Sequence, residues 1–92
     1  MSFKIGDVYE ITGYLTLGDM TEIEQPLKDS AFNHKSASSF DSKLLVYLKS
    51  VPYSGDTAHI FYHAEMGRCW LYHWEMSKLT LVVESCAQPQ AS

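Results

Sequence analysis

Two cysteines in 92 residues, Cys69 and Cys86, are too few for the disulfide framework that props up small secreted domains. A reducing, cytoplasmic compartment is therefore expected. No apolar run approaches the ~18 residues a membrane-spanning helix requires, and the opening MSFKIGDVYE lacks the basic and apolar regions of a secretory signal. Glycine is sparse, and none of it forms a phosphate-cradling loop. There is no G-x-S-x-G elbow, no C-x-x-C pair and no internal repeat. Cations are scarce as well: seven Lys and Arg stand against eleven Asp and Glu, for a net charge of −4. Binding that runs along phosphates has little to work with.

What charge there is lies unevenly. Residues 1–42 carry Asp7, Glu10, Asp19, Glu22, Glu24, Asp29 and Asp41 against Lys4, Lys28 and Lys35, whereas residues 43–92 are balanced. The acidic half suits a basic surface on a protein or ribonucleoprotein partner, with Asp7, Glu10, Asp19, Glu22 and Glu24 as the contacting carboxylates. Asp29, His34 and Ser36 include the residue types of a catalytic triad. They fall in a serine-rich stretch with no rigid frame to align them, so no enzyme and no cofactor are expected.

The richest chemistry lies in Ala58–Met76, AHIFYHAEMGRCWLYHWEM, which holds both tryptophans and three of the four histidines. Alternating aromatic and β-branched residues on either side of Gly67 predict a β-hairpin with strands Ala58–Ala64 and Cys69–Met76. A three-residue loop, Glu65–Gly67, pairs Ala64 with Arg68, His63 with Cys69 and His59 with His73; it is favoured over a two-residue Met66-Gly67 turn, which would set His59, Phe61 and His63 beside Trp70, Tyr72 and Trp74. One face then carries His59, Phe61, His63, Cys69, Leu71 and His73; the other carries Ala58, Ile60, Tyr62, Trp70, Tyr72 and Trp74. On a strand, residues four apart are separated by about 13 Å, so His59, His63, Cys69 and His73 cannot all bind one ion, and no metal site is expected.

Around the hairpin the pattern is that of a small all-β domain. Val8–Leu17 alternates, with Gly13 marking a bulge or bend. Asp19 or Thr21 opens a short helical insertion over residues 19–30, limited by Pro26. Lys28–Ser42, polar and serine-rich, reads as a mobile loop. Leu44–Val51 fits either a helical stripe (Phe40, Leu44, Leu45, Leu48) or a strand face (Leu44, Val46, Leu48); the turn signals of Val51–Thr57 favour the strand, and Leu79–Glu84 reads as a last strand that completes a meander. One compact domain over residues 1–86 is expected, mainly β or α+β, as a small antiparallel sheet or barrel, with residues 87–92 a frayed tail.

Phe3-Lys4-Ile5-Gly6-Asp7-Val8-Tyr9-Glu10-Ile11 resembles the turn and first strand of SH3-like small barrels. Trp74–Leu79 followed by Leu79–Glu84 resembles their closing turn and last strand. In size, acidity and lack of catalytic motifs the chain resembles, in kind and not in motif, the small phage-encoded anti-defence proteins, anti-CRISPR proteins among them. That resemblance implies a viral inhibitor in the host cytoplasm that sterically blocks a nucleic-acid-binding channel. Tyr62, Trp70, Tyr72 and Trp74 would be its aromatic anchors. The same four aromatics could instead stack bases in a nucleic-acid-binding barrel, or join copies of the chain in a homo-oligomer. Both hairpin faces are apolar, so either the 18–42 segment covers one of them or one is presented to a partner.

Overall fold

The computed structural model describes residues 3–24 and 34–84. The predicted helical residues 25–30, the loop residues 28–33, Cys86 and the tail 87–92 lie outside that set. The described chain is mainly β, as expected. One antiparallel seven-stranded sheet curls into a half-barrel, consistent with a small β-rich or SH3-like barrel. Its strands are β1 (Val8–Ile11), β2 (Thr16–Asp19), β3 (His34–Ser36), β4 (Leu44–Tyr53), β5 (Asp56–His63), β6 (Gly67–Tyr72) and β7 (Leu79–Val83), in the spatial order β3-β2-β6-β5-β4-β1-β7.

The middle of the sheet is the β4-β5-β6 meander. Ser54 (φ 52°) and Gly55 (φ 80°) join β4 to β5 in a two-residue hairpin closed by Tyr53 and Asp56. Left-handed values at both central positions suit the right-handed twist of the flanking strands. Pro52, which has no N–H to give, sits on β4 beyond the reach of its β1 pairing, which ends at Val46. The β5–β6 loop is three residues long as expected, but it falls one residue earlier, at Ala64–Met66, so His63 pairs with Gly67 and Phe61 with Cys69. The imidazole of His63 is the reason. Its Nδ1 accepts the N–H groups of Glu65 (3.1 Å) and Met66 (3.2 Å), closing the turn at His63 and leaving Gly67 (φ 82°) as the first residue of β6. A shift of the whole loop by one residue moves the register by two, so both faces keep their expected side chains.

Two further expectations are corrected. The second hairpin strand stops at Tyr72 and not at Met76. Buried Glu75 accepts the Tyr72 N–H (3.0 Å) and winds His73–Lys78 into a 3-10 helix. The last strand does not extend the meander either, because the 3-10 helix carries the chain across the half-barrel and β7 pairs with β1. The Gly13 bend is confirmed in consequence: β1 and β2, consecutive in sequence, lie on opposite flanks of the sheet. Part of the expected loop is ordered. His34–Ser36 pairs with β2, Ala37–Ser39 forms a 3-10 turn, and Lys43 Nζ donates to the carbonyls of Ala37 (3.1 Å) and Phe40 (2.7 Å).

Two cores follow from the two apolar faces. The concave face buries Tyr9, Leu15, Leu17, Leu45, Tyr47, Phe61, Cys69, Leu71 and Met76. The convex face buries Met20, Ala58, Ile60 and Trp70, with Ile23, Leu48, Tyr53 and Tyr72 packed around them. Helix α1 (Thr21–Glu24) starts on the Met20 carbonyl, which accepts from Ile23 and Glu24, and so holds Ile23 over this second cluster.

Candidate interaction site

Among the described residues, the convex face is only half covered. Where α1 and Met20 sit, Trp70 is 1% exposed and its Nε1 donates to the Asp19 carbonyl at 3.1 Å. Tyr53 and Tyr72 flank it at ring distances of 4.9 and 4.7 Å. One step toward the β5–β6 loop, the cover ends. The ladders place Arg68, Tyr62, Val46, Val8 and Val83 side by side across five strands, with Leu44 and Glu10 paired in the adjoining row. Tyr62 and Leu44 are 49% and 48% exposed. This is an apolar stripe with a carboxylate on it, on a rigid sheet.

The four expected aromatic anchors therefore divide. Tyr62 stands on the open stripe. Trp70 is core, and Tyr72 is half-buried beside it. Trp74, on the 3-10 helix and 59% exposed, stacks on Tyr72 (6.2 Å, 15° between planes) under the Lys78 ammonium (5.4 Å). The continuous stacking platform needed to hold bases loses its central member, since Trp70 has no open ring face.

The five expected carboxylates divide too. Asp7 is buried and receives the Lys4 N–H (3.2 Å), which makes it part of the turn into β1. Glu10 is exposed on the stripe. Asp19 is half-buried on β2, and Glu24 is paired with Arg68 at 2.7 Å. The Glu22 side chain lies outside the described set. Asp7 precedes β1 and Glu10 stands on it, while Asp19 and Glu24 stand by β2, with three strands between, so these acids do not converge on one site.

The histidines do structural work that sequence spacing only partly revealed. His63 is fully buried; its Nε2–H donates to the Ser42 carbonyl (2.9 Å) while Nδ1 takes the two turn N–H groups. That assigns the neutral Nε2–H form. His59 and His73 do meet, but through the 3-10 helix and not as ladder partners: Nε2 of His59 lies 2.9 Å from Nδ1 of His73, and Nδ1 lies 3.2 Å from Tyr47 Oη. Among the described residues no group of three or more His, Cys, Asp or Glu is placed to hold a metal. Burial, then the neighbouring His73, holds His59 below the ordinary histidine value, and Asp56 opposes this weakly.

A pH dependence follows from that shift. The unfolded chain takes up a proton on His59 near pH 6.5, while the folded protein resists it until lower pH. Stability is thus fully present above ~6.5 and falls as pH drops toward the folded value. Melting temperatures between pH 7.5 and 5 will show this decline, and His59→Gln will flatten it. An equal decline in the variant would assign the effect to other groups.

A cleft of about 810 Å³ opens between the 3-10 helix and β7, lined by Phe3, Tyr9, Trp74, Met76, Leu79 and Leu81. The ion pair of Lys4 and Glu84 (3.4 Å) stands at its rim. Cys69 is buried, with its thiol pushed up to about 12 by burial, and is no nucleophile. Ser36 Oγ lies 2.9 Å from Ser38 Oγ, and Asp29 and the His34 side chain lie outside the described set.

The fold and site together define a small curled β domain with an apolar half-face that no described residue covers. No family model matches the chain, and neither the curated proteins nor the solved structures include a match to it. No described helix is long and apolar enough to cross a membrane.

Proposed function

We propose that this protein is a non-catalytic interaction protein that binds a protein or nucleoprotein partner and blocks it sterically, as a phage-type inhibitor of a host defence complex would. The observation that carries this reading is the uncovered half of the convex face. Exposed Tyr62 and Leu44 flank half-buried Val46 and Val8 in two adjoining apolar rows, on a sheet whose other half is covered by α1 and Met20. A domain with two cores has no internal use for that surface, and tyrosine, exposed here between Val46 and Arg68, is a common interface anchor.

The complementary partner surface is apolar with a cation opposite Glu10. Of the expected acids, Glu10 alone stands among these apolar side chains, so electrostatics contributes less than the sequence suggested. Capture of the partner from host extract, at low and moderate salt, tests this. Binding should weaken only modestly with salt, because a single exposed carboxylate is screened while apolar burial is not. Glu10→Lys should lower affinity several-fold at low salt and less at high salt. Capture that collapses with salt would return the weight to the acidic residues. Recovery of nucleic acid alone, with quenching of tryptophan by single-stranded oligonucleotides, would overturn the reading.

A further inference from the structure

The cleft between the 3-10 helix and β7 has apolar walls and, within it, a hydroxyl that the fold leaves unanswered. Tyr9 stands on β1 between Leu45 of β4 and Leu81 of β7 and belongs to the concave core, where its ring meets Phe3 (5.9 Å) and Phe61 (6.0 Å, edge-on). It is 7% exposed and lines the cleft. Its hydroxyl has no hydrogen-bond partner among the described residues. Burial, then the charge of Asp7, then Tyr47, holds its ionisation above the ordinary tyrosine value, so at neutral pH it remains an O–H donor. Buried hydroxyls are nearly always bonded, and this one opens on a cleft, where an acceptor from outside can reach it.

We infer that this cleft binds a small uncharged molecule with an apolar, aromatic body and a carbonyl or ether oxygen that accepts from Tyr9. Its volume of about 810 Å³ is that of a small-molecule site, and such sites combine apolar walls with a few polar groups that fix orientation. Phe3, Tyr9 and Trp74 supply rings, and Met76, Leu79 and Leu81 supply the rest of the apolar lining. A water would satisfy the hydroxyl alone; an oxygen on an apolar body also covers the walls.

Charge selects against ions. Asp7 and Glu84 line the cleft against Lys4, and the Lys4 ammonium already stands 3.4 Å from Glu84, so an anion meets more like charge than opposite. A cation finds the Trp74 ring already under the Lys78 ammonium (5.4 Å) and Asp7 already accepting the Lys4 N–H (3.2 Å). His73 also lines the cleft, with its Nδ1 engaged by His59 Nε2 (2.9 Å). This inference stands apart from the convex-face reading, because Tyr9 and Met76 belong to the opposite, concave core.

Fluorescence titration of the full chain with prodan, an uncharged dimethylaminonaphthyl ketone, should give saturable, blue-shifted emission. Dimethylaminonaphthalene, the same ring system without the ketone, should bind more weakly. Tyr9→Phe should cost prodan about three- to tenfold in affinity, the weight of one neutral hydrogen bond, and leave the ketone-free dye unchanged. The melting temperature of Tyr9→Phe should not fall, because the hydroxyl gives up no protein partner. Leu81→Arg, exposed on β7, should weaken both dyes at least several-fold, and circular dichroism checks that it folds. Absence of saturable prodan binding to the wild-type chain would overturn the inference. So would an equal effect of Tyr9→Phe on both dyes, or tighter binding of the anionic anilinonaphthalene sulfonate than of prodan. Binding abolished by Tyr62→Asp and untouched by Leu81→Arg would put the dye on the convex face and overturn it as well.

Discussion

Trp70→Ala should cost the protein about 3–5 kcal/mol, the range for emptying a buried tryptophan site. That is a large part of the ~5–15 kcal/mol that holds a domain of this size folded. Trp70 is the keystone of the convex core. Its ring lies between Tyr53 and Tyr72, over Ile60, and against the backbone of β2, where its Nε1–H is satisfied by the Asp19 carbonyl. The close approach depends on Gly18. A Cβ there would stand 2.3 Å from Trp70 Nε1 and 2.5 Å from Cε2, far inside contact distance. Gly18→Ala must therefore displace the indole and break its hydrogen bond, an overpacking cost of about 1–3 kcal/mol or more. Urea unfolding followed by tryptophan emission measures both. Combining Gly18→Ala with Trp70→Phe should recover part of the loss, since the smaller ring frees the space the methyl needs. A neutral Gly18→Ala would show that Trp70 does not seat against β2.

His63→Leu is the second large effect, about 2–4 kcal/mol, because it strands three backbone groups that one imidazole serves. The Ser42 carbonyl loses its donor, and the Glu65 and Met66 N–H groups lose their acceptor. The same loop grips residues 41–42 a second time, with Glu65 carboxylate oxygens accepting from Asp41 N–H (3.4 Å) and Ser42 N–H (2.7 Å). Glu65→Ala should cost less, about 1 kcal/mol, since these bonds are exposed to water. The two substitutions share partners, so a double variant should lose less than the sum. Thermal unfolding of the four proteins gives the coupling directly. Full additivity would mean that His63 and Glu65 hold the 41–42 segment independently.

The face assignment of the hairpin was legible because it depends on parity alone. Alternation over Ala58–His63 and Gly67–Tyr72 survives a loop displaced by one residue, so His59, Phe61, Cys69 and Leu71 face one way and Ile60, Tyr62 and Trp70 the other. The displacement itself was hidden, since it rests on a side chain, His63, bonding to the turn. The end of β6 was hidden for the same reason: the alternating pattern runs on to Met76, and only the Glu75 carboxylate on Tyr72 N–H stops the strand. Likewise, Ser54-Gly55 was recognisable as a turn but not as a two-residue hairpin, because serine at a positive φ carries no compositional signal. The strand His34–Ser36 was missed entirely, its polar residues lacking any β pattern.

Of the expected site residues, Glu10 and Tyr62 share one face of the sheet, two strands apart, and no sequence rule joined them. They share it because β4 stands between β1 and β5, a long-range pairing. Trp70 was expected on the surface because tryptophan anchors interfaces. Gly18, fifty-two positions earlier, is what allows it to be buried, and the two are neighbours only in the ladder. An apolar pattern on both faces left open whether the 18–42 segment covers one of them. The structure places α1 over one half of the convex face and nothing described over the other.

The central claim is that the open half of the convex face binds the partner. The most direct test compares capture by the wild-type chain with capture by Tyr62→Asp and Val46→Asp, each checked for an unchanged melting temperature. Loss of at least tenfold in partner recovery with both variants, and none with Ser50→Asp elsewhere on β4, is the result expected. Undiminished capture by folded Tyr62→Asp and Val46→Asp would contradict the claim and move the site off this face.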